Sequence, residues 1–309
     1  MRAITAFIGA ALSFSATAYA DATTDSSATQ APTSGQMISC SGPAKQGGLL
    51  VCSVPEGDIV SMIGPDNQLI VRVPINETGL ATLGLKRNAP AEITITSDSP
   101  TVQPAVISIQ SRTDPLRTIT GLDCDKVDAR TEEQKAHAGR SWVKKQDAFK
   151  TFNPGPGATT GFLRPADGPS SSPFGPARKY IGVGGDGKPC ESMSIHRGYD
   201  IAIPVGTDIW APADGVVTLA DPDLYYEGGT VFLDHGDGLV SVFMHMSQVS
   251  VNAGDRVSAG ERVGASGNTG RTTGPHLHWA VKWRNPGSED RSSDFYIDPA
   301  LLMDLEPTP

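Results

Sequence analysis

The sequence predicts a mostly β protein in two folded parts: a small N-terminal β-sandwich and a C-terminal antiparallel β-sheet domain, joined by one helix. Three observations predict it. The chain has 309 residues with 34 Gly and 24 Pro, a length that favours two domains and a composition that favours many turns. Its apolar residues fall in short runs of period two, the strand signature. Only one long stretch, residues 128–152, is dense in helix formers and free of Pro.

The first element is a targeting segment. "MRAITAFIGAALSFSATAYA" has a basic Arg2, an apolar stretch and Ala18-Tyr19-Ala20 as a small-residue cleavage site. It reads as a secretory signal peptide over 1–20, with no cysteine after the cut to carry a lipid. No later stretch is long and apolar enough to span a membrane. The expectation is an exported, soluble protein. Residues 21–36, "DATTDSSATQAPTSGQ", have almost nothing to bury and read as a disordered spacer.

Residues 37–113 carry short β runs such as "LLVCSV", "AEITITSD" and "AVISIQS", cut by turn signals such as Gly64-Pro65-Asp66-Asn67. This is the β-sandwich, with a spacing or docking role and no catalytic constellation. Residues 114–155 form the helical linker. Thr131 followed by Gln134 predicts a capping box at its start, and His137 lies on it among charges, exposed to solvent. Residues 156–309 return to β runs: "SIHRGYDIAIP", "TDIWAP", "GVVTLAD", "GTVFLDHG", "LVSVFMHM", "RVGASG" and "HLHWAVKW".

Charge and cysteines bound the function. Lys and Arg total 25 against 34 Asp and Glu, a net charge of −9, which disfavours nucleic acid or anionic lipid as a general partner. Four cysteines, Cys40, Cys52, Cys124 and Cys190, fit an oxidising compartment. They allow three connectivities; proximity favours Cys40–Cys52, leaving Cys124–Cys190. None forms a CxxC pair, so a cysteine zinc site is not expected.

Two motif matches are accidental. "GVGGDG" (182–187) fits a phosphate loop in part, but Pro189 and Cys190 follow where a helix should begin. "SWVK" (141–144) has no KTG or SDN partner elsewhere.

The histidines are more specific. Five of the six fall between 196 and 278. In "HLHWAVKW" the apolar Leu277, Trp279, Val281 and Trp283 share one parity, which places His276 and His278 on the other face, roughly 6.5–7 Å apart along the strand. Alone, the pair could equally be a solvated strand face. "HRGYD" adds His196 and Asp200, four apart, a neutral imidazole and a carboxylate suited to zinc. Two His and one Asp leave one tetrahedral position open, the pattern of a catalytic rather than a closed structural site. His245 ends the strand "LVSVFMHM", and His235, at the turn "HGDG", is expected in a structural or surface role.

The stretch from "SPFG" at Ser172 to about Leu302, with HxxxD, "MH" and HLH in that order, resembles the lysostaphin/LytM-type zinc endopeptidases. The front half also resembles the sandwich-plus-helix extension of exported Gram-negative members. The resemblance implies that His196, Asp200 and His278 hold Zn2+, and that His245 and His276 are the non-ligand catalytic histidines. It implies hydrolysis of peptidoglycan stem-peptide cross-links in the periplasm, most naturally D-alanyl to meso-diaminopimelate, with divisome or cell-wall regulators as further partners. None of the five residues is substituted, which argues against the degenerate members that only activate amidases. One departure stands out: "KYIGVGGDGKPCESMS" (179–194) reads as a long loop ahead of His196 that could narrow the groove.

Overall fold

The computed structural model describes residues 36–124, 129–184 and 187–305, within the compact unit Pro32–Pro309. The signal-peptide reading over 1–20 and the spacer over 21–35 lie outside the described residues. No described helix is long and apolar enough to cross a membrane.

The N-terminal part is two antiparallel sheets. Strands β1 (Ser39–Ser41), β2 (Leu49–Ser53), β3 (Ile59–Ile63), β4 (Leu69–Pro74), β5 (Leu80–Gly84), β6 (Glu92–Ser97) and β7 (Ala105–Ser108) pair in the orders β1-β2-β5 and β4-β3-β6-β7. Alternation carries them: Val60 and Met62 of β3, and Ile93 and Ile95 of β6, point into the core. Cys40 pairs with Cys52 across β1 and β2 as a disulfide. Strand β2 is buried from Leu49 to Cys52, and its neighbour β5 lies against the C-terminal sheet. Gly84 permits that approach: a Cβ there would sit 2.7 Å from Trp283 Cγ, and Trp283 Nε1 donates to Thr82 O at 3.1 Å.

The linker is only partly helical. Helix α1 (Glu132–Lys150) starts at the expected capping box of Thr131 and Gln134. Ahead of it, Arg117–Asp123 is a strand, β8, where a helical linker was expected. Its "RTIT" alternation finds a partner far along the chain. Likewise the supposed loop before His196 is a hairpin. Strand β9 (Ser170–Ser172) is followed by β10 (Ala177–Val183) and β11 (Pro189–Ile195), which pair antiparallel, and β8 adds parallel to β10. Gly187 N donates to Gly184 O at 2.9 Å between the two strands, and Cys124–Cys190 staples β8's end to β11.

Of the remaining strands, β13 (Asp208–Trp210), β17 (Gln248–Val249) and β19 (Arg262–Ala265) form a small sheet in the order β13-β19-β17, and the main sheet takes β12 (Tyr199–Ile201), β14 (Gly215–Leu224), β15 (Gly228–Gly236), β16 (Leu239–Met246), β18 (Arg256–Val257), β20 (Leu277–Trp283) and β21 (Phe295–Ile297). Its path is β18-β14-β15-β16-β20-β12-β9, with β21 also on β20. One face packs toward the sandwich. Helix α1 covers part of the other, where Ala148 and Phe149 bury against Phe232, Val240, Val242 and Ala280. The buried pair Arg284–Asp234 (2.9 Å) clamps the helix end: Arg284 also donates to Phe149 O at 3.1 Å and to Thr151 O, satisfying carbonyls that a helix end leaves open.

Two histidines are structural. His137 is half-buried rather than solvated, its Nε2 2.8 Å from Asp223 O and its ring edge-on to Tyr225. His235 is fully buried, with Nδ1 2.8 Å from Asp214 O and Nε2 2.8 Å from Ser241 Oγ.

Burial pushes the His235 pKa from 6.5 down to about 4. Above pH 6.5 the ring is neutral in both folded and unfolded chains. Between 6.5 and about 4 only the unfolded chain takes the proton, so stability falls with pH across that window. In chelator-treated protein, His235→Gln should remove about 2 kcal/mol of the stability lost between pH 7 and pH 5. Urea denaturation at the two pH values measures it; an undiminished loss would assign the acid sensitivity elsewhere.

Candidate metal centre

The site forms where the main sheet presents β20 beside β12. The register sets Asp200 directly opposite His278, and cross-strand neighbours on one face lie about 5 Å apart at Cβ. His196 sits just ahead of β12. The run "SIHRGYDIAIP" is therefore not one strand; it breaks at His196–Gly198 between β11 and β12. Gly198 is there because the His278 ring occupies the space a side chain would need: a Cβ would lie 2.4 Å from His278 Nε2.

Three ligand atoms converge. His278 Nδ1 is 2.7 Å, and His196 Nε2 3.0 Å, from Asp200 Oδ1, and the two ring nitrogens are 3.2 Å apart. His196 Nδ1 lies 2.7 Å from Pro173 O. A carbonyl only accepts, so Nδ1 carries the hydrogen and Nε2 turns its lone pair toward Asp200 and His278. Two nitrogens and a carboxylate oxygen crowded with their electron pairs inward, with His196 and Asp200 buried, fit a cation. Among the described residues this trio is the group with the geometry to hold a metal ion. The Asp200 carboxyl is held well below the usual carboxylate range: burial opposes its charge, but the adjoining His196 and His278 side chains outweigh burial. Burial pushes the His278 pKa down.

The other two histidines stand beside this trio. His245 follows Met244, which is paired with His278 across β16 and β20. Its backbone adopts φ +63°, a left-handed conformation that a residue with a Cβ rarely takes outside functional or turn positions. That twist aims the ring over the sheet. Its Nδ1 is 2.9 Å from Thr269 O, and burial pushes its pKa down to about 3. His276 falls just outside β20, in a lone bridge to Gly267, with Nδ1 2.8 Å from Gly274 O and Nε2 3.8 Å from Asp200 Oδ1. The rings of His245 and His276 are 4.9 Å apart. So the five residues singled out in the sequence come together, while His137 and His235 do not join them.

The trio lies in a groove of about 1090 Å³. Helix α1 supplies Trp142, Lys145 and Phe149 to its wall; β8 and the hairpin supply Arg117, Arg178 and Met193. Sequence reasoning missed these wall residues. Of these, Arg178 contacts Asp200 directly and carries no motif.

Residues 194–291 match Peptidase family M23. That segment of the chain is similar to the M23 peptidases. Peptidoglycan DD-endopeptidase ShyA of Vibrio cholerae is 44% identical over 89 residues, 29% of this chain and 20% of that protein. Peptidoglycan DD-endopeptidase ShyC of the same organism is 38% identical over 109 residues, 35% of this chain and 23% of that protein. The chain spans about a fifth of the length of the curated relatives it matches. The crystal structure of a candidate M23 peptidase from Pseudomonas aeruginosa is 28% identical with a TM-score of 0.55, covering 84% of this chain and 95% of that one. That likeness extends beyond the M23 segment into the preceding strands and helix.

The close packing at Gly198 gives a direct test. Gly198→Ala should displace the His278 ring and weaken metal binding by roughly tenfold or more, and it should also lower the thermal melt of the metal-free protein, because the same Cβ would lie 2.8 Å from Trp279 O. Competition against a chromophoric chelator measures the affinity; an unaltered value would show that the ring has room to move.

Proposed function

We propose that the chain is a zinc-dependent endopeptidase that hydrolyses peptide cross-links of peptidoglycan, specifically the D-alanyl–meso-diaminopimelate bond, in the periplasm. The observation that carries it is the convergence of His196, Asp200 and His278 on one point of a groove, with His245 and His276 unligated beside it. The M23 match and the DD-endopeptidase activity for which the Vibrio cholerae relatives are named support the substrate class, and the paired cysteines support an oxidising compartment.

His196 through Nε2, Asp200 through Oδ1 and His278 through Nδ1 are the ligands. When bound, zinc supplies Lewis acidity toward the attacking water and the scissile carbonyl. The remaining chemistry belongs to the two other histidines. Both rings donate from Nδ1 to a carbonyl, Thr269 O and Gly274 O, so both present a lone pair at Nε2. His245, held neutral by burial, accepts a hydrogen bond from the water and orients it. His276 takes the proton, then returns it from Nε2 to the leaving amine as the peptide bond breaks. While protonated, His276 also faces the developing oxyanion as a donor.

Two measurements check this reading. His278→Ala should lose zinc and turnover together. His276→Ala should keep one zinc per chain while turnover falls by roughly 10²–10⁴; zinc lost from His276→Ala and kept in His278→Ala would reverse the roles. Separately, a mass-resolved digest of purified sacculi should show cross-linked dimers converted to monomers. Intact sacculi after incubation with fully zinc-loaded protein would favour a non-enzymatic amidase activator, and cleavage only at glycyl-glycine bonds would change the substrate.

A further inference from the structure

We infer that Arg178 is a positioning residue for the metal centre: it fixes which oxygen of Asp200 faces the metal. The inference rests on the ligand assignment proposed for His196, Asp200 and His278.

Asp200 has two oxygens with different surroundings. Oδ1 faces both imidazoles, at 2.7 and 3.0 Å. Oδ2 is turned away and accepts a hydrogen bond from Arg178 NH2 at 2.8 Å. The same nitrogen lies 2.8 Å from Ser172 Oγ, which in turn is 3.4 Å from His196 Nδ1. Ser172 is paired with Asp200 across β9 and β12. One guanidinium nitrogen therefore bridges the outer oxygen of one ligand and a hydroxyl beside another.

A carboxylate turns readily about its terminal torsion. Left alone, Asp200 could offer either oxygen, or both. The arginine contact favours one orientation, with Oδ1 inward as a single-oxygen ligand. The pair is mostly buried, with side-chain exposures of 17% for Arg178 and 8% for Asp200, so solvent screens it little. Removing the arginine would leave Oδ2 in a buried position without its charged partner.

Arg178 comes from β10, outside the segment that matches the M23 family. The sheet β11-β10-β8 holds it in place, with Arg178 opposite Ser194 on one side and Arg117 on the other. The hairpin ahead of His196 is thus a buttress of the metal centre as well as a groove wall.

Position and charge predict opposite results. A cation near the site repels zinc, so if charge alone mattered, its loss would tighten binding. If position matters, its loss weakens binding. Zinc affinity should be measured by competition with a chromophoric chelator on wild type, Arg178→Gln, Arg178→Lys and Lys179→Gln. Lys179 is the next residue on β10 and pairs with Glu191 at 2.8 Å, so it serves as the control. The melting temperature of each metal-free protein is recorded alongside. Arg178→Gln should bind zinc roughly 10–100-fold more weakly. Arg178→Lys should recover part of that loss, and Lys179→Gln should match wild type. Equal affinity in both Arg178 variants and wild type would overturn the inference. So would tighter binding by Arg178→Gln, or a loss accompanied by an equal loss of the metal-free fold that Arg178→Lys does not recover. A wild-type chain that takes up no zinc, or a His278→Ala chain that keeps it, would overturn the ligand assignment itself.

Discussion

Asp200 and His278 face each other across two antiparallel strands, and the rest of the site is arranged around that pairing. Register is what makes it dependable. A slip of one residue between β12 and β20 would turn one of the two side chains to the opposite face of the sheet. The apolar parity of β20 prevents this, because Leu277, Trp279, Val281 and Trp283 are all buried. The same burial that anchors the core side of the strand therefore holds His278 on the groove side. His196 then needs only a short break in the chain to reach the same point, and Gly198 provides the clearance.

The N-terminal sandwich and the helix stabilise this sheet from both faces. Trp283, at the end of the β20 core row, seats its ring against Gly84 and its indole hydrogen on Thr82 O. Helix α1 covers the opposite face through Ala148 and Phe149, and its end is tied down by the buried Arg284–Asp234 pair. Further along, Lys144 reaches Asp221 and Lys145 reaches Glu227. Glu227 in turn accepts the backbone hydrogen bond of His245 through its carbonyl at 2.8 Å. The helix is thus connected, through one glutamate, to the residue whose backbone is forced into the left-handed region.

The parts of the site that were legible in the sequence were those with a local period or spacing. The alternation of "HLHWAVKW" places two histidines on one face, and the capping box of Thr131 and Gln134 marks the helix start to the residue. The parts that were not legible depend on partners distant in the chain. Strand β8 becomes a strand because it pairs with β10, some sixty residues later, and nothing within "RTITGLD" distinguishes that outcome from an extended linker. The hairpin was obscured by "GVGGDG", a glycine-rich run that reads as a loop in the sequence. Arg178 has no motif at all, since its partner Asp200 lies on a different sheet. Even the HLH strand was misjudged at its edge: His276 leaves the ladder and is placed by Gly267 and Gly274 instead.

This division between local and distant signals also separates chemistry from access. The five histidine and aspartate side chains all fall within residues 194–291, the segment shared with the M23 family. Part of the groove wall does not: Arg117, Trp142, Lys145, Phe149, Arg178 and Met193 precede it, while Tyr226, Met244 and Arg271 lie within it. A site held by strand register tolerates little change, because Asp200 and His278 are set by pairing along strands whose core-facing residues are buried. Walls carried by a helix and a hairpin are constrained less tightly, by capping, a few ion pairs and one disulfide. The wall carried by residues 117–195 can therefore change, outside β9 and Arg178, without disturbing the register that brings Asp200 to His278.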